Sequence, residues 1–201
     1  KIIKNRNFNA LPEYMQQCAE EAYECMAHTG DGQMCDVIID NGTLKAILMA
    51  AGDSKCDILR EYAETQVAVA DIKIAVRSCK TAKNMDFMKR AMVPCETINT
   101  DRLAKAALSG MEDIVRYLSE TPYSGGAEAL NDSSSVFECW CDNRIIETIR
   151  PQKFNAFTVG PLVAYVLGRL NEIKTVRIIL SGKLNGLPDS AIRERVREMY
   201  V

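Results

Sequence analysis

Very little in this 201-residue chain is suited to chemistry. It has one histidine, His28, no phosphate-loop motif of the form GxxxxGKS/T, and no CxxC step among its cysteines. The first absence leaves a histidine-centred triad without an anchor; His28 reads instead as a residue near a helix C-terminus, where the dipole favours it. The second removes the backbone cradle that nucleotide phosphates need. The third removes the ligand spacing of a metal knuckle. Aromatic residues make up only 6%, too few for a base-stacking platform or an aromatic-rich sandwich. Charge of one sign is lacking as well: 25 Lys and Arg face 27 Asp and Glu, for a net charge of -2. Nucleic acid and anionic membranes both demand a concentrated cationic surface, so neither is expected as a partner. No apolar run approaches the ~20 residues that cross a bilayer, and Ala46–Ala51 is far too short. No secretory signal opens the chain, which starts at Lys1 rather than at a methionine, and a trimmed chain is expected.

What is present is ordinary core material, 47% apolar, enough for one sizeable core or two smaller ones. Eight cysteines, at 18, 25, 35, 56, 79, 95, 139 and 141, invite a disulfide reading. A chain of this length needs no staples, and Cys18 and Cys25 share a helix face with Met15 and Ala22, so thiols as core filler in a reducing compartment, the cytoplasm, are expected. The alternative is a thiol or metal protein built on Cys139, Cys141 and His28, although two thiols one residue apart on a helix point to different faces.

The periodicity is helical throughout. Met15, Cys18, Ala19, Ala22, Cys25 and Met26 form one stripe, entered by Pro12 and left at Gly30. A second helix is expected from Gln33 to Ala51, and a third, capped by Asp53 or Ser54, to about Cys79 with Tyr62, Val69, Ile72 and Val76 inward. Short helices follow over Met85–Met92, Asp101–Leu108 after a Thr100 cap, and Met111–Ser119. The stretch 121–135, with Pro122, Gly125, Gly126 and three consecutive serines, reads as a linker between an N-terminal unit, 1–123, and a C-terminal unit, 124–201. Another helix spans Val136–Ile149 up to Pro151. Pro161 opens a second long one with Val163, Val166, Leu167, Leu170 and Ile173 as its buried stripe, broken at Gly182 and Gly186, and Pro188 starts the last. Only Val37–Ile39 could pass for a strand, so the fold class is all-α.

Two landmarks recur about a hundred residues apart: Asp71-Ile72-Lys73 with Glu172-Ile173-Lys174, and Asp40-Asn41 with Asp142-Asn143. They imply a duplicated helical unit, longer than an ordinary solenoid repeat. Candidate catalytic groups are thin. Glu20, Glu21, Glu24, Glu194 and Glu198 lie among basic neighbours and read as solvated pairs. Asp71 and Glu172 sit beside apolar stripes, either as carboxylates paired with a nearby Lys or Arg at the edge of the core or as polar contacts to a partner helix. Gly182-Lys183-Leu184-Asn185-Gly186 has the wrong spacing for a phosphate loop and reads as a tight interhelical turn. No catalytic, cofactor or metal residue is assigned.

The last thirty residues carry a resemblance. Glu172-Ile173-Lys174-Thr175-Val176-Arg177-Ile178-Ile179-Leu180, then Gly182-Lys183-Leu184-Asn185-Gly186-Leu187-Pro188, then Ile192-Arg193-Glu194-Arg195, closing on Tyr200-Val201, resemble the C-terminal signature of the C-type stalk subunits of bacterial and archaeal V/A-type ATPases, the family that includes the d-type subunits of eukaryotic V-ATPases. Phe157 to Tyr165, with Gly160-Pro161-Leu162, and the earlier Leu11-Pro12, Thr29-Gly30-Asp31, Asp36 and Ile72-Lys73 with Arg77 are similar to further family elements. Gly160 and Ala68 stand where the family often carries an acidic residue. The resemblance implies three related helical units forming a funnel, of which this chain holds the second and third. It further implies a non-catalytic rotor part, on the cytoplasmic side of the membrane, that joins the central-stalk shaft subunits to the membrane proteolipid ring without a cofactor. A generic helical adaptor outside the ATPase is the other reading.

Overall fold

Small polar residues set several of the helix starts. The computed structural model describes residues 2–200, and among these the chain is all-α: ten α-helices, three short 3-10 turns and no strand. The helices are α1 (Glu13–Thr29), α2 (Gly32–Asp53), α3 (Asp57–Lys80), α4 (Met85–Ala91), α5 (Thr100–Ser109), α6 (Met111–Ser119), α7 (Ser124–Asp132), α8 (Ser134–Ile149), α9 (Gly160–Leu184) and α10 (Asp189–Arg195). The side chains of Asp31, Asn84, Asn99 and Ser133 accept from backbone N–H groups in the first turns of α2, α4, α5 and α8 at 2.9–3.1 Å. Each such cap satisfies a donor that helix geometry leaves orphaned and contributes about 1 kcal/mol. Asn99 caps α5, not Thr100, which is its first residue. Asp53 closes α2 instead of capping α3. Val37–Ile39 lies inside α2.

The α1–α2 pair is a helical hairpin turned at Gly30, whose φ of +66 needs a glycine. From α2 the chain enters α3, around which the rest gathers. Val67, Ala68, Val69, Ile72, Ala75 and Val76 of α3 are all buried. The main core joins α3 to Met88 of α4, Leu103 and Ala107 of α5, Ile114 and Leu118 of α6, Ala127 of α7, and Phe137 and Cys141 of α8. A smaller cluster links Ile58 of α3 to Ile146, Ile149, Ala164 and Tyr200.

Two larger expectations are overturned as well. The stretch 121–135 is no linker, because α7 fills it and the core runs through it from Tyr123 to Phe137. Its glycines serve packing: a Cβ on Gly126 would lie 2.7 Å from Trp140 Cζ3, and one on Gly125 2.8 Å from Trp140 Nε1, so the indole rests on bare backbone. The buried stripe of α9 is also not the expected one. Val166, Leu170 and Ile173 are exposed, Val163 and Leu167 are half-buried, and the inward face is Ala164, Gly168, Asn171, Thr175 and Gly182. Small residues win because the extended C-terminal tail and α10 press close: a Cβ on Gly168 would meet Tyr200 Cβ at 2.9 Å, and one on Gly182 would meet Ile192 Cγ1 at 2.7 Å. Gly182 is therefore inside α9, and Gly186, at φ +65, makes the turn into α10.

Candidate functional site

The structure brings its charged groups together on α8. Asp142 is almost wholly buried, yet three cations from three segments meet it: Lys174 Nζ of α9 at 2.6 Å, Arg197 Nε of the C-terminal tail at 2.6 Å, and Lys73 Nζ of α3 at 3.6 Å. One turn back, Glu138 takes Lys73 at 3.1 Å and Arg77 at 3.2 Å. Burial alone would raise both carboxyls. For Asp142, the hydrogen bond from Lys174 and the charge of Lys73 outweigh burial and hold it below its ordinary value; for Glu138, Lys73 and Arg77 do the same. Lys73 and Lys174, the matching lysines of the two repeated triplets, thus converge on one carboxylate. A buried ion group of this kind fixes geometry more than it adds stability, since desolvation offsets much of its Coulomb attraction.

A second arrangement occurs twice. Asn41 of α2 donates from Nδ2 to Met92 O at 3.1 Å, while Asp71 of α3 accepts from Val93 N at 3.0 Å, so the two helices clasp the extended backbone that leaves α4. Asn143 of α8 accepts from Glu198 N at 2.9 Å, while Asn171 of α9 donates to Glu198 O at 2.7 Å, clasping the extended backbone that leaves α10. Asn41 and Asn143 match in the repeat, whereas Asn171 stands one place before Glu172, the counterpart of Asp71, and the donor and acceptor roles are exchanged between the two clasps. Side-chain caps on otherwise unpaired backbone tie each short helix and its tail to two long helices.

Asp71 departs from the expected pairing with Lys or Arg. It is fully buried, its Oδ2 has no partner, and burial pushes its carboxyl from 3.8 to about 7, helped by Glu64 and opposed by the Val93 N–H. Glu172 pairs with Arg169 on its own helix. Of the remaining acidic candidates, three make surface contacts, Glu21 with Arg90, Glu194 with the Ser133 hydroxyl and Glu198 with Arg150, while Glu20 and Glu24 are exposed on α1. His28 is exposed at the end of α1, and Cys141 lies in the main core, its thiol pushed by burial up to about 12. Cys139 donates to Val196 O and accepts from Asn143. No group of three or more His, Cys, Asp or Glu among the described residues could hold a metal, and the thiols do not assemble around His28. Enclosed in the main core, the Cys141 thiol is out of reach of a substrate.

The feature that sequence reasoning misses is on the surface. With the small face of α9 turned inward, Leu162, Val166, Leu170, Ile173, Val176 and Leu180 line its outer side for most of its length, each about half or more exposed. Phe154 (86% exposed) and Phe157 (104% exposed) continue the apolar surface from the turn that precedes α9. The signal is available as the spacing of Ala164, Gly168, Asn171 and Thr175, a second stripe at helical period. A contiguous apolar strip of this length on a water-facing side marks a place where another surface packs.

A family model described as ATP synthase (C/AC39) subunit matches residues 1–195. The chain belongs to this family. Among curated proteins, it is 24% identical over 163 residues to the C-type subunit of the A-type ATP synthase of Desulfurococcus sp. (strain SY), covering 79% of this chain and 44% of that protein. It is also 24% identical over 162 residues to the C-type subunit of the A-type ATP synthase of Methanocaldococcus jannaschii, covering 75% of this chain and 40% of that protein. The chain therefore spans less than half the length of the curated relatives it matches. No solved structure matches significantly. Among the described residues no helix is long and apolar enough to cross a membrane. Val201, the last residue of the C-terminal signature, lies outside the described residues, as does Lys1.

Proposed function

We propose that this chain is part of a non-catalytic rotor subunit that joins the central-stalk shaft subunits to the membrane proteolipid ring of a V/A-type rotary ATP synthase, on the cytoplasmic side of the membrane. The observation that carries the reading is the uncovered apolar face of α9 on a member of this family. A torque-bearing coupling needs stiffness and broad complementary interfaces, not perturbed catalytic groups. Stiffness is supplied by the Asp142 ion group and by the two clasps, which lock helices distant in sequence. Within this reading the chain consists of two related units, 1–123 and 124–201, that share one core across α7 and α8 instead of being joined by a flexible linker. The repeated clasp supports that division.

The test is recovery of partners. The full-length protein, tagged and drawn from gently solubilised native membranes, should bring down the stalk subunits and the proteolipid ring together. A preparation that brings down neither, from membranes with intact ATP-driven ion transport, would overturn the proposal and favour a helical adaptor outside the ATPase.

A further inference from the structure

We propose that Cys25 and Cys35 are a redox-responsive thiol pair that a hydroperoxide converts to a disulfide, stapling α1 to α2. The two residues flank the hairpin turn at equal distance from Gly30 on facing helices, and both belong to the one apolar cluster that holds α1 and α2 together. Cys35 is fixed on α1: its Sγ donates to Ala22 O at 3.2 Å, and Ala22 lies one helical turn before Cys25 on the same face. The helices approach closely enough for a short bridge, because Gly42 of α2 faces Cys18 of α1 with only 2.7 Å between Cys18 Cβ and the position of a Cβ on Gly42. Disulfides need Cα atoms within about 4.4–6.8 Å, a range that facing positions of closely packed helices reach. The two thiols differ in access. Cys25 is half-exposed and touches the Thr29 hydroxyl at 3.7 Å, whereas Cys35 is buried. Burial, followed by the nearby Cys25, raises the Cys35 thiol above its ordinary value, and Cys25, the more accessible of the two, is the group that meets the oxidant.

The chemistry balances in two steps. The Cys25 sulfur attacks the hydroperoxide oxygen, the O–O bond breaks, and Cys25 becomes a sulfenic acid while an alcohol, or water from hydrogen peroxide, leaves. The Cys35 sulfur then attacks the Cys25 sulfur, the S–OH bond breaks, and the hydroxyl leaves with the Cys35 proton as water. Two thiols have lost two electrons and the peroxide has gained them. Thiol reductants return the disulfide to the starting pair.

The hairpin is the part of the molecule where such a bond would be felt. In α1 only Ala22 is buried, so the helix is held by little besides this cluster and a few surface contacts. The experiment treats the purified protein with hydrogen peroxide and maps it without reduction, using proteases that cut before Asp31 and after Glu21 and Glu24, which separate Cys18, Cys25 and Cys35. The expected result is a cross-linked peptide pair holding Cys25 and Cys35, two hydrogens lighter than the free thiols, lost on addition of dithiothreitol. Amide exchange in α1 should slow by at least about tenfold in the oxidised form. In Cys35→Ser, Cys25 should be trapped as a sulfenic acid by dimedone, and in Cys25→Ser, Cys35 should stay unmodified. The proposal is overturned if Cys25 pairs with Cys18 instead, if Cys25 oxidises to sulfinic acid with Cys35 still free, or if other half-buried thiols such as Cys56 react first and Cys25 not at all.

Discussion

The two long helices are built from similar lengths of similar sequence and meet opposite fates. α3 has 24 residues and is buried along its length by α2, α4, α5, α6 and α8. α9 has 25 residues, packs against α8, α10 and the preceding turn, and leaves a strip of leucine, isoleucine and valine in solvent. The difference lies in which face carries small side chains. Where a helix offers Ala, Gly, Asn and Thr in register, a neighbouring backbone can come close and make hydrogen bonds, as the tail does at Asn171 and Gly168. The apolar face is then free for something larger. Burial in α3 is structural, and exposure in α9 is the feature on which the proposed assembly role rests.

The largest effect that sharpens this contrast is a matched truncation. Ile72→Ala in α3 empties a fully buried site and should lose about 2–5 kcal/mol of folding stability. Leu170→Ala on the outer face of α9 should change stability by less than about 0.5 kcal/mol. Urea unfolding of the two variants beside the parent measures both. Losses of equal size would mean that α9 is covered within this chain.

The two buried carboxylates provide the next contrast, because their pH responses have opposite sign. Asp71 is raised in the folded protein, from 3.8 to about 7, so the native state binds the proton more tightly than the unfolded chain does. Its contribution is therefore favourable at low pH and is withdrawn as pH rises from about 4 towards 7, with a ceiling on the order of 4 kcal/mol. Asp142 is lowered, burial notwithstanding, by Lys174, Lys73 and Arg197. Its stabilisation is present above 3.8 and is lost as pH falls through its lower native value. Asp71→Asn keeps the acceptor for Val93 N and should flatten the decline between pH 4 and 7, whereas Asp142→Asn should weaken the protein at neutral pH and soften its acid limb. Thermal melts across pH 3 to 8 read both slopes. A parent whose stability rises steadily to pH 7, with no change in Asp71→Asn, would contradict the reading of Asp71.

A smaller loss should follow from filling the close approach on α9. Gly168→Val places a branched side chain where Tyr200 already stands, and should cost about 1–3 kcal/mol while displacing the C-terminal tail. Gly52, with open space around it, should accept alanine at no such cost. A calorimetric comparison of the two substitutions separates crowding from helix propensity.

Much of this architecture is legible in the residues, and the failures share a cause. The helical period, the turns at Gly30 and Gly186, and the α3 stripe of Val69, Ile72 and Val76 follow from local rules that each short window contains. The stretch 121–135 misleads because glycine and serine usually mark flexible chain. Here Gly125 and Gly126 are needed by Trp140, which is distant enough in sequence that no local window relates them. The face of α9 misleads because hydrophobicity is ordinarily the sign of burial, and close packing of the tail and α10 on its small residues reverses the rule. Asp142 is legible as half of a repeated landmark, but its three cations come from α3, α9 and the tail, and only the tertiary fold collects them.

The smallest effect on folding is also the most discriminating for function. Leu170→Glu puts a charge on the middle of the exposed α9 strip, where side chains already meet water. In the isolated chain, stability should shift by no more than about 0.5 kcal/mol, because nothing buried is disturbed. In the full-length protein within its assembly, the same carboxylate would be forced against an apolar partner surface. Desolvating an unpaired charge costs several kcal/mol, enough to lower partner recovery from solubilised membranes by about a hundredfold or more. A charge placed on Asn185, at the exposed end of α9 away from the strip, controls for general effects of added charge. Undiminished recovery with Leu170→Glu, alongside unchanged folding, would mean that this face stays wet in the assembly and that the partners are held elsewhere.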